Sequence, residues 1–535
     1  MEIGCLPFNK TGYFSKLIED YVSGNSELTP FYGQKPDLNG LNIQRKLKTE
    51  KFSLAQRKIL QQVLTEQYKG FKPSKVVEDQ IAALGLSNTT TVVTGHQLNL
   101  FSGPLYFLYK IMAVINLSKT LSKDKLLGRV VPIYWMATED HDFEEINYFN
   151  VKGVKLQWTP PYKLGGAVGR YATQGLEGVL EHLEGLLGTG KNAQYLKDLF
   201  RDSYLLQPNL SKATRHFAHT LFGDLGLVIL DADHAALKES LIGHIKKDIF
   251  EQIAFHAINK TTDSLVGVSD QYAIQVNPRP INYFYLDVGI RERIVATKTG
   301  YEVLNTSMTF TAESLEAHIE AKPECFSPNV IARPLYQEVI LPNIAYIGGG
   351  GELAYWLELK DYFKAHEVLF PVLMLRNSAV LLSEKQHKKW NKMGLQPADL
   401  FLKRDPLINK KIRAISNIDI DLTPLRKVLH KQFLSLQSLA QETDASFLGA
   451  VQAQEVKQLK GIDLLEKRLL LAQKKKLQDQ VQRLSLLHEA LFPSQSLQER
   501  NQNFSEFYVD YGPELMEVLS THLNPLKNGF SVLSL

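Results

Sequence analysis

Five carboxylates and one histidine lie in the short stretch 139–145, directly after an apolar segment. Asp140, His141 and Asp142 could position an ammonium group or Mg²⁺, or could act as acid and base. An acidic helix N-terminus would have the same composition, because the helix dipole favours Asp and Glu there. The position after a core strand favours a functional site. We therefore expect Asp140, His141 and Asp142 to be catalytic and Glu139 to bind a substrate or nucleotide.

A second candidate site is the turn that follows the apolar segment 91–94. Gly95 and Gly103 would let the backbone approach a ligand closely, and a helix starting at Pro104 would offer free N–H groups to phosphate. The turn contains neither a Walker motif nor a dinucleotide-binding glycine fingerprint. We predict that Gly95, His96, Gln97 and Gly103 bind a substrate or nucleotide. A glycine turn with a buried, hydrogen-bonded His96 is an equally supported alternative.

Four consecutive glycines, 348–351, form the third candidate. Because glycine loses the most entropy on ordering, such a run predicts a loop that touches a ligand or moves. Binding candidates here are Gly348, Gly349, Glu352 and Tyr355, the last as a stacking wall for a purine or sugar. The alternative is a flexible hinge.

Arg376 and Asn377 follow the apolar segment 368–375 and complete the set of binding candidates. Arg376 could bind a carboxylate with two parallel hydrogen bonds. A surface ion pair is the competing interpretation.

The elements that would position these residues alternate between short apolar strands and helices, which predicts an open α/β sheet. Predicted strands are 91–94, 130–136, 227–230, a weaker 338–341, and 368–375; predicted helices are 54–68 and 105–121. Ligands bind beyond the carboxyl ends of parallel strands in such sheets, where the first two candidate sites fall. The stretches 152–171 and 267–335 are predicted insertions.

The region 425–491 changes character. Leu470, Leu477, Leu484 and Leu491 are spaced by seven, and no proline interrupts the segment. This pattern predicts an antiparallel helical hairpin with a coiled-coil face, turning near 442–446, through which the protein forms a homodimer. Two long helices packed on the main domain would give a similar pattern.

Composition excludes several classes of protein. The 535 residues carry a net charge of +4, which is too balanced for nucleic-acid binding by bulk charge. The two cysteines, Cys5 and Cys325, form no metal-binding pair, and there is no long apolar run for a membrane helix. No signal peptide is apparent at the N-terminus, so we expect a cytoplasmic protein that binds neither nucleic acid nor membrane.

Taken together, these motifs resemble the cysteine ligase family of bacillithiol biosynthesis, over nearly the whole chain. The motifs are Thr94-Gly-x-Gln97, Gly103-Pro-Leu-Tyr106, Glu139-Asp-His-Asp-Phe143, Glu145-Ile-Asn147, Gly348-Gly-x-Gly-Glu352, Ala354-Tyr-Trp356, Ala490-Leu-Phe-Pro493 and Gln498-Glu-Arg500. The chain departs from the family pattern at His96, where many members carry Gln, and at Gly350, where Pro is frequent.

The resemblance implies an α/β protein: a Rossmann-type doubly wound core with two connecting-peptide insertions, plus an α-helical antiparallel coiled-coil domain. The implied boundaries are 1–150, 226–266 and 336–384 for the core, 151–225 and 267–335 for the two connecting peptides, 385–495 for the coiled coil, and 496–535 for a segment returning to the core.

The resemblance also implies a ligase that joins L-cysteine to the amine of glucosaminyl malate. An amide does not form spontaneously from a carboxylate and an amine in water, so we expect ATP to activate the carboxylate. ATP or ADP is then a ligand, Mg²⁺ is a candidate companion, and no tightly bound metal is predicted. A metal-assisted hydrolase using Asp140, His141 and Asp142, or a non-catalytic nucleotide-binding dimeric scaffold, are the alternatives.

Overall fold

The computed structural model describes residues 2–535, which divide into two compact units. One unit contains the chain up to Leu381 together with Gln498–Leu535, and the other is Leu382–Leu497. The strands are β1 Glu2–Leu6, β2 Thr90–His96, β3 Val130–Met136, β4 Tyr148–Val151, β5 Val154–Gln157, β6 Val228–Asp231, β7 Tyr283–Asp287, β8 Ile290–Ala296, β9 Tyr301–Val303, β10 Thr309–Phe310, β11 Phe326–Pro328, β12 Asn343–Gly348, β13 Val372–Leu375, β14 Ser378–Leu382 and β15 Phe530–Ser534.

The α-helices outnumber the strands. They are α1 Lys16–Ser23, α2 Leu38–Lys51, α3 Leu54–Gln67, α4 Lys75–Leu84, α5 Tyr106–Leu121, α6 Phe143–Ile146, α7 Glu177–Leu187, α8 Lys191–Phe200, α9 Leu210–Phe222, α10 Ala235–Lys238, α11 Ile242–Phe250, α12 Ile253–Val268, α13 Ala312–Ala321, α14 Ala332–Ile340, α15 Gly350–Glu358, α16 Lys360–Ala365, α17 Glu384–Lys392, α18 Arg404–Ile415, α19 Thr423–Gln441, α20 Ala445–Lys476, α21 Gln478–Leu491, α22 Gln498–Asn501, α23 Ser505–Tyr511 and α24 Glu514–His522. Within residues 2–535, no helix is both long enough and apolar enough to span a lipid bilayer.

The core of the first unit is a five-stranded sheet in the order β13-β12-β2-β3-β6. All of its pairings are parallel. Strands β2 and β3 are buried along their whole length, as expected for a parallel sheet covered by helices on both faces. The crossover helix α5 between them is almost entirely buried as well. The predicted parallel strand–helix–strand unit and the predicted α/β fold class are confirmed.

The predicted strand 338–341 is wrong, because this segment is the C-terminal end of helix α14. The side chain of Asn329 accepts hydrogen bonds from the backbone N–H groups of Ile331 (2.9 Å) and Ala332 (3.1 Å), which satisfies N–H groups at the start of the helix. Pro334 lies in the first turn, where proline is tolerated. The helix is buried on nearly all sides, so its apolar run looked like a strand. The true strand, β12, begins two residues after the predicted one ends.

Smaller sheets flank the core. Residues 283–328 contribute a five-stranded sheet in the order β10-β9-β8-β7-β11, which lies inside the predicted second insertion. Strand β5 and helices α7–α9 lie within the predicted first insertion, 151–225, whereas β4, which pairs with β5, lies almost entirely before it. Strand β15, close to the C-terminus, pairs antiparallel with β1, so the last part of the chain belongs to the first unit.

The second unit contains an antiparallel hairpin of α19 and α20. Arg426 contacts Asp463 and Glu466, whereas His430 and Gln437 both contact Glu455, so contacts move back along α20 as α19 advances. The side chain of Asp444 caps α20 at the predicted turn. The predicted helical hairpin is confirmed, but its second arm ends at Lys476 and a separate helix, α21, covers the rest of the predicted segment 425–491. Several of its apolar side chains are more than two-fifths exposed: Leu434, Leu436, Leu439, Val456, Leu464, Leu465 and Leu471.

Candidate active site

A cavity of about 430 Å³ opens at the carboxyl ends of the central strands. Its walls include residues at the carboxyl ends of four neighbouring strands: 95–97 at the end of β2, 137–140 after β3, 349–352 after β12, and Arg376 after β13. This edge is where doubly wound sheets bind ligands.

Asp140 forms part of an acidic corner of the cavity. Its carboxylate accepts hydrogen bonds from Gln97 Nε2 (3.0 Å) and from the backbone N–H of His141 (2.8 Å). Burial opposes ionisation, but the hydrogen bonds from His141 and Gln97 outweigh it and lower the pKa of Asp140 to about 2. Asp140 is therefore a carboxylate at neutral pH.

Glu139 is the second carboxylate of this corner and has the opposite character. It is buried and ion-paired with Lys238, whose Nζ also lies 3.7 Å from Asp233 Oδ1 and donates to Glu324 O (3.0 Å). Burial raises the pKa of Glu139 to about 7, against the attraction of Lys238, which lowers it. Two adjacent carboxylates thus differ strongly in proton affinity, a pattern found where one group stays charged and the other exchanges protons.

A second ion pair, between Lys110 and Glu352, also lines the cavity. Lys110 Nζ lies 2.6 Å from Glu352 Oε2 and donates to Gly95 O at 2.8 Å. Glu352 also accepts hydrogen bonds from Tyr346 Oη (2.6 Å) and from the backbone N–H of Gly349 (2.8 Å). Burial would raise the pKa of Glu352, but Lys110 and these hydrogen bonds lower it to about 2.

The four glycines do not form the predicted loop. Gly348 ends β12, Gly349 caps α15, and the next two glycines begin that helix. A Cβ at Gly348 would lie only 2.8 Å from atoms of Leu353 and Tyr346, so the close packing of strand against helix requires glycine. The remaining three glycines line the cavity.

Arg333 lines the cavity and was not predicted as a site residue. Its guanidinium carbon lies 5.6–5.9 Å from the ring centres of Trp135, Tyr346 and Trp356. Nη1 donates to Gln337 Oε1 (3.1 Å), whereas Nη2 is buried and meets no hydrogen-bond acceptor among residues 2–535. An arginine held against aromatic rings, with an unsatisfied donor in a cavity, suits an oxyanion. The sequence does not point to it, because Arg333 lies in the stretch 267–335, which was predicted to be an insertion and not part of the sheet edge.

His96 is buried beside the rings of Tyr106 and Phe107, with centroid distances of 5.5 and 5.0 Å. Its Nε2 has no hydrogen-bond partner in the part of the chain that the structure describes. Burial lowers the pKa of His96 well below its ordinary value, and Lys110 lowers it further. The ring is therefore neutral at physiological pH.

The predicted site residues separate into two groups. Those that line the cavity are Gly95, His96, Gln97, Glu139, Asp140, Gly349, Glu352, Tyr355 and Arg376. The others, which lie outside its lining, are Gly103, His141, Asp142, Gly348 and Asn377. Arg376 is buried and paired with Glu499, so it does not form the surface ion pair considered as an alternative.

Gly103 and Asn377 make contacts that organise the surrounding backbone. Gly103 has a φ of +60°, and its carbonyl accepts a hydrogen bond from Asn503 Nδ2 at 2.7 Å. A Cβ there would lie 2.8 Å from the Cβ of Asn99. Asn377 Nδ2 donates to Asn524 O at 2.9 Å. The C-terminal segment thus holds both turns in place.

The acidic cluster was also a candidate metal site. Potential ligand atoms of Asp140, His141 and Asp142 lie within 4.8 Å of one another. However, Arg291 Nη1 lies 2.6 Å from His141 Nδ1, and its positive charge would repel a metal ion there. The donor set does not fit a metal site, so we assign no reaction step to a metal at this cluster.

Two family models match the chain in succession. Residues 1–377 match "Bacillithiol biosynthesis BshC, N-terminal Rossmann-like domain", and residues 379–535 match "Bacillithiol biosynthesis BshC, C-terminal coiled-coil domain". The chain belongs to the BshC family. This membership confirms the resemblance seen in the sequence motifs and the fold class predicted from it.

Curated relatives carry the name "Putative cysteine ligase BshC". One from Flavobacterium johnsoniae is 48% identical, with 100% of both chains covered. Another, from Christiangramia forsetii, is 49% identical, covering 100% of this chain and 99% of the relative. A more distant one, from Cytophaga hutchinsonii, is 35% identical over 96% and 95% of the two chains. The family places the chain in bacillithiol biosynthesis, and the prediction of a ligase agrees with these names.

Proposed function

We propose that the chain is a ligase that joins L-cysteine to the amine of glucosaminyl malate and uses ATP to activate the cysteine carboxylate. Family membership supports the reaction class. The observation that supports this proposal is that both acidic and basic groups line the cavity. The carboxylates of Glu139 and Asp140 lie in the same cavity as the guanidinium groups of Arg333 and Arg376. Amide formation between an amine and an acidic substrate needs both kinds of group.

The acidic corner suits the attacking amine. Asp140, which stays ionised, would hold the substrate's ammonium group by a charge-assisted hydrogen bond. An ammonium group must lose a proton before its nitrogen can attack a carbonyl. Glu139, with its pKa near 7, is a better proton acceptor than Asp140, because a base works best when its pKa is near the working pH.

The guanidinium groups of Arg333 and Arg376 suit oxyanions. The proposed substrates carry the carboxylates of cysteine and malate and the phosphates of ATP. In the activation step, a carboxylate oxygen of cysteine would attack a phosphorus atom of ATP. A mixed anhydride would form, and ADP would leave after attack at the γ-phosphate or pyrophosphate after attack at the α-phosphate. The amine nitrogen then forms the C–N bond while the C–O bond to the phosphoryl oxygen breaks, with its electron pair leaving on that oxygen. Arginines in a shielded cavity would stabilise the negative charge on the leaving group.

The test is mass spectrometry of reactions containing cysteine, glucosaminyl malate and ATP. The proposal predicts a product with the mass of the cysteinyl amide, together with AMP or ADP in equal amount. Omission of ATP should abolish the product. A variant of the site is Arg333→Gln, which keeps a hydrogen-bonding side chain but loses the positive charge. This variant should turn over the substrates much more slowly than wild type.

Two outcomes would contradict the proposal. Nucleotide binding without product from the intact, folded protein would favour a non-catalytic scaffold. A product that forms at the same rate with and without ATP would show that the carboxylate is activated by another route.

A further inference from the structure

A carboxylate outside the cavity holds one of the cavity's arginines. Glu499 is fully buried and does not line the cavity. Its Oε1 accepts hydrogen bonds from Arg376 Nη2 (2.7 Å) and Ser378 Oγ (3.2 Å). Its Oε2 accepts from the backbone N–H of Ala379 at 3.1 Å. Both oxygens are thus engaged with residues 376–379.

The same contacts fix the orientation of Arg376. Its Nη1 donates to the carbonyl of Asn377 (2.9 Å), and its guanidinium carbon lies 4.9 Å from the ring centre of Tyr106. A Cβ placed on Gly349 would lie 3.6 Å from Arg376 Nε, so the Nε edge points toward the glycines that line the cavity. The terminal nitrogens are therefore held by the protein, and the Nε edge is left toward the cavity.

We propose that Glu499 is a positioning residue of this site: it holds Arg376 against Tyr106 so that Arg376, together with Arg333, binds an oxyanion of a substrate, either a carboxylate or a phosphate. This inference rests on the proposed function only in treating the cavity as the substrate site.

A purely structural ion pair explains the arrangement less well. Burying two charges costs desolvation energy, and apolar side chains of similar size usually stabilise a protein as well or better. Moreover, Glu499 lies 123 positions from Arg376 in the sequence, on the short helix α22 where the chain rejoins the first unit. The adjacent Gln498 is anchored by hydrogen bonds to both the N–H and the carbonyl of Leu381, at 2.8 and 3.0 Å. The carboxylate therefore stands on a rigid support directly behind a cavity residue.

The experiment measures anion binding directly on the full-length protein. Isothermal titration with L-malate and, separately, with inorganic phosphate gives dissociation constants for wild type, Glu499→Gln, Glu499→Asp and Glu514→Gln. Glu514 is an exposed glutamate in the same C-terminal segment and serves as the matched control. Melting temperatures of all four proteins report folding.

We expect Glu499→Gln to raise the dissociation constant of at least one probe by about tenfold or more, the size of a lost charge-assisted contact. Glu499→Asp should fall between this variant and wild type, and Glu514→Gln should match wild type. The probe that responds identifies the oxyanion as carboxylate or phosphate.

The proposal is overturned if folded Glu499→Gln protein binds both probes with dissociation constants within about twofold of wild type. It is also overturned if wild type binds neither probe at about 10 mM. If Glu499→Gln does not fold, unchanged binding by Glu499→Asp overturns it in the same way. Because no turnover is involved, a wild type that binds the probes but makes no product would remove the proposed ligase activity and leave this inference standing.

Discussion

Replacing Glu352 with Gln should destabilise the first unit mainly by leaving Lys110 without its partner. The structure lowers the pKa of Glu352 from 4.5 to about 2. Each pKa unit corresponds to about 1.4 kcal/mol, so the ionised carboxylate contributes about 3 kcal/mol. Burial lowers the pKa of Lys110 even with Glu352 present, so the cost of burying this ammonium group persists in the variant.

The sign of the pH dependence follows from the lowered pKa. The contribution of Glu352 is complete above its unfolded pKa, near 4.5, and is lost as the pH falls toward 2. The difference in unfolding free energy between wild type and Glu352→Gln should therefore fall from about 3 kcal/mol at pH 7 to about 1.5 kcal/mol near pH 3. Urea denaturation followed by tryptophan fluorescence at both pH values measures it.

Glu358, at the end of the same helix, is a matched control. It is buried without an ion-pair partner, and accepts hydrogen bonds only from the N–H groups of Gln275 (2.8 Å) and Val276 (3.3 Å) among the described residues. Burial raises its pKa to about 7. Its ionisation therefore destabilises the fold as the pH rises from 4.5 toward 7, and Glu358→Gln should gain stability relative to wild type over that range. The reasoning would be refuted if both variants lost the same unfolding free energy at pH 7, or if the loss in Glu352→Gln did not change with pH.

Three further predictions concern activity and assembly. Asp140→Asn should lower kcat/KM by about 10–100-fold, the size of a lost charge-assisted hydrogen bond to the ammonium group, whereas Asp142→Asn, outside the cavity lining, should lower it less than about tenfold; equal losses in steady-state assays would contradict the geometry. His96→Gln should keep most of the activity, because the neutral ring cannot serve as a base at neutral pH, and His96→Ala should weaken substrate binding; a loss above about a thousandfold in His96→Gln would make the histidine catalytic. Light scattering should give twice the chain mass for the intact protein and a monomer after excision of 425–491, since that hairpin exposes many leucines; an intact monomer at micromolar concentration would contradict this.

The sequence predicts the elements of this fold well where one local pattern dominates. Strand β3 is a nearly continuous apolar run, and β2 has two central valines between threonines; both patterns predict a buried strand. The hairpin is predictable because a long helical pattern without proline is divided by a short polar turn, although of the four leucines spaced by seven only Leu470 lies in the hairpin itself. The pattern fails at the end of α14, because the run 338–341 is too short for its periodicity to distinguish a helix from a strand.

The site was only partly predictable, for a related reason. The acidic corner and the turn after β2 follow strands directly, so local sequence places them at the sheet edge. The positions of the two cavity arginines depend on contacts with residues that are distant in the sequence. Arg333 lies on α14, whose C-terminal end was predicted as a strand. The partner of Arg376 is Glu499, and the whole second unit lies between these two residues in the sequence. No local pattern could join those two residues.

The strand order has a consequence for how the protein is made. Strand β2 lies at the centre of the sheet, yet its neighbour β12 is far away in the chain: the paired residues Thr91 and Asn343 are 252 positions apart. At ordinary translation rates, one edge of β2 waits on the order of 10–50 s for that neighbour. The unpaired edge of β2 can form hydrogen bonds with other chains. We therefore expect the yield of folded protein to depend on translation rate and on chaperones more than its final stability would suggest. Nascent chains arrested before residue 343 should accordingly be cleaved by protease within β2, and chains arrested well beyond β13 should resist; equal resistance would show that the edge is covered earlier.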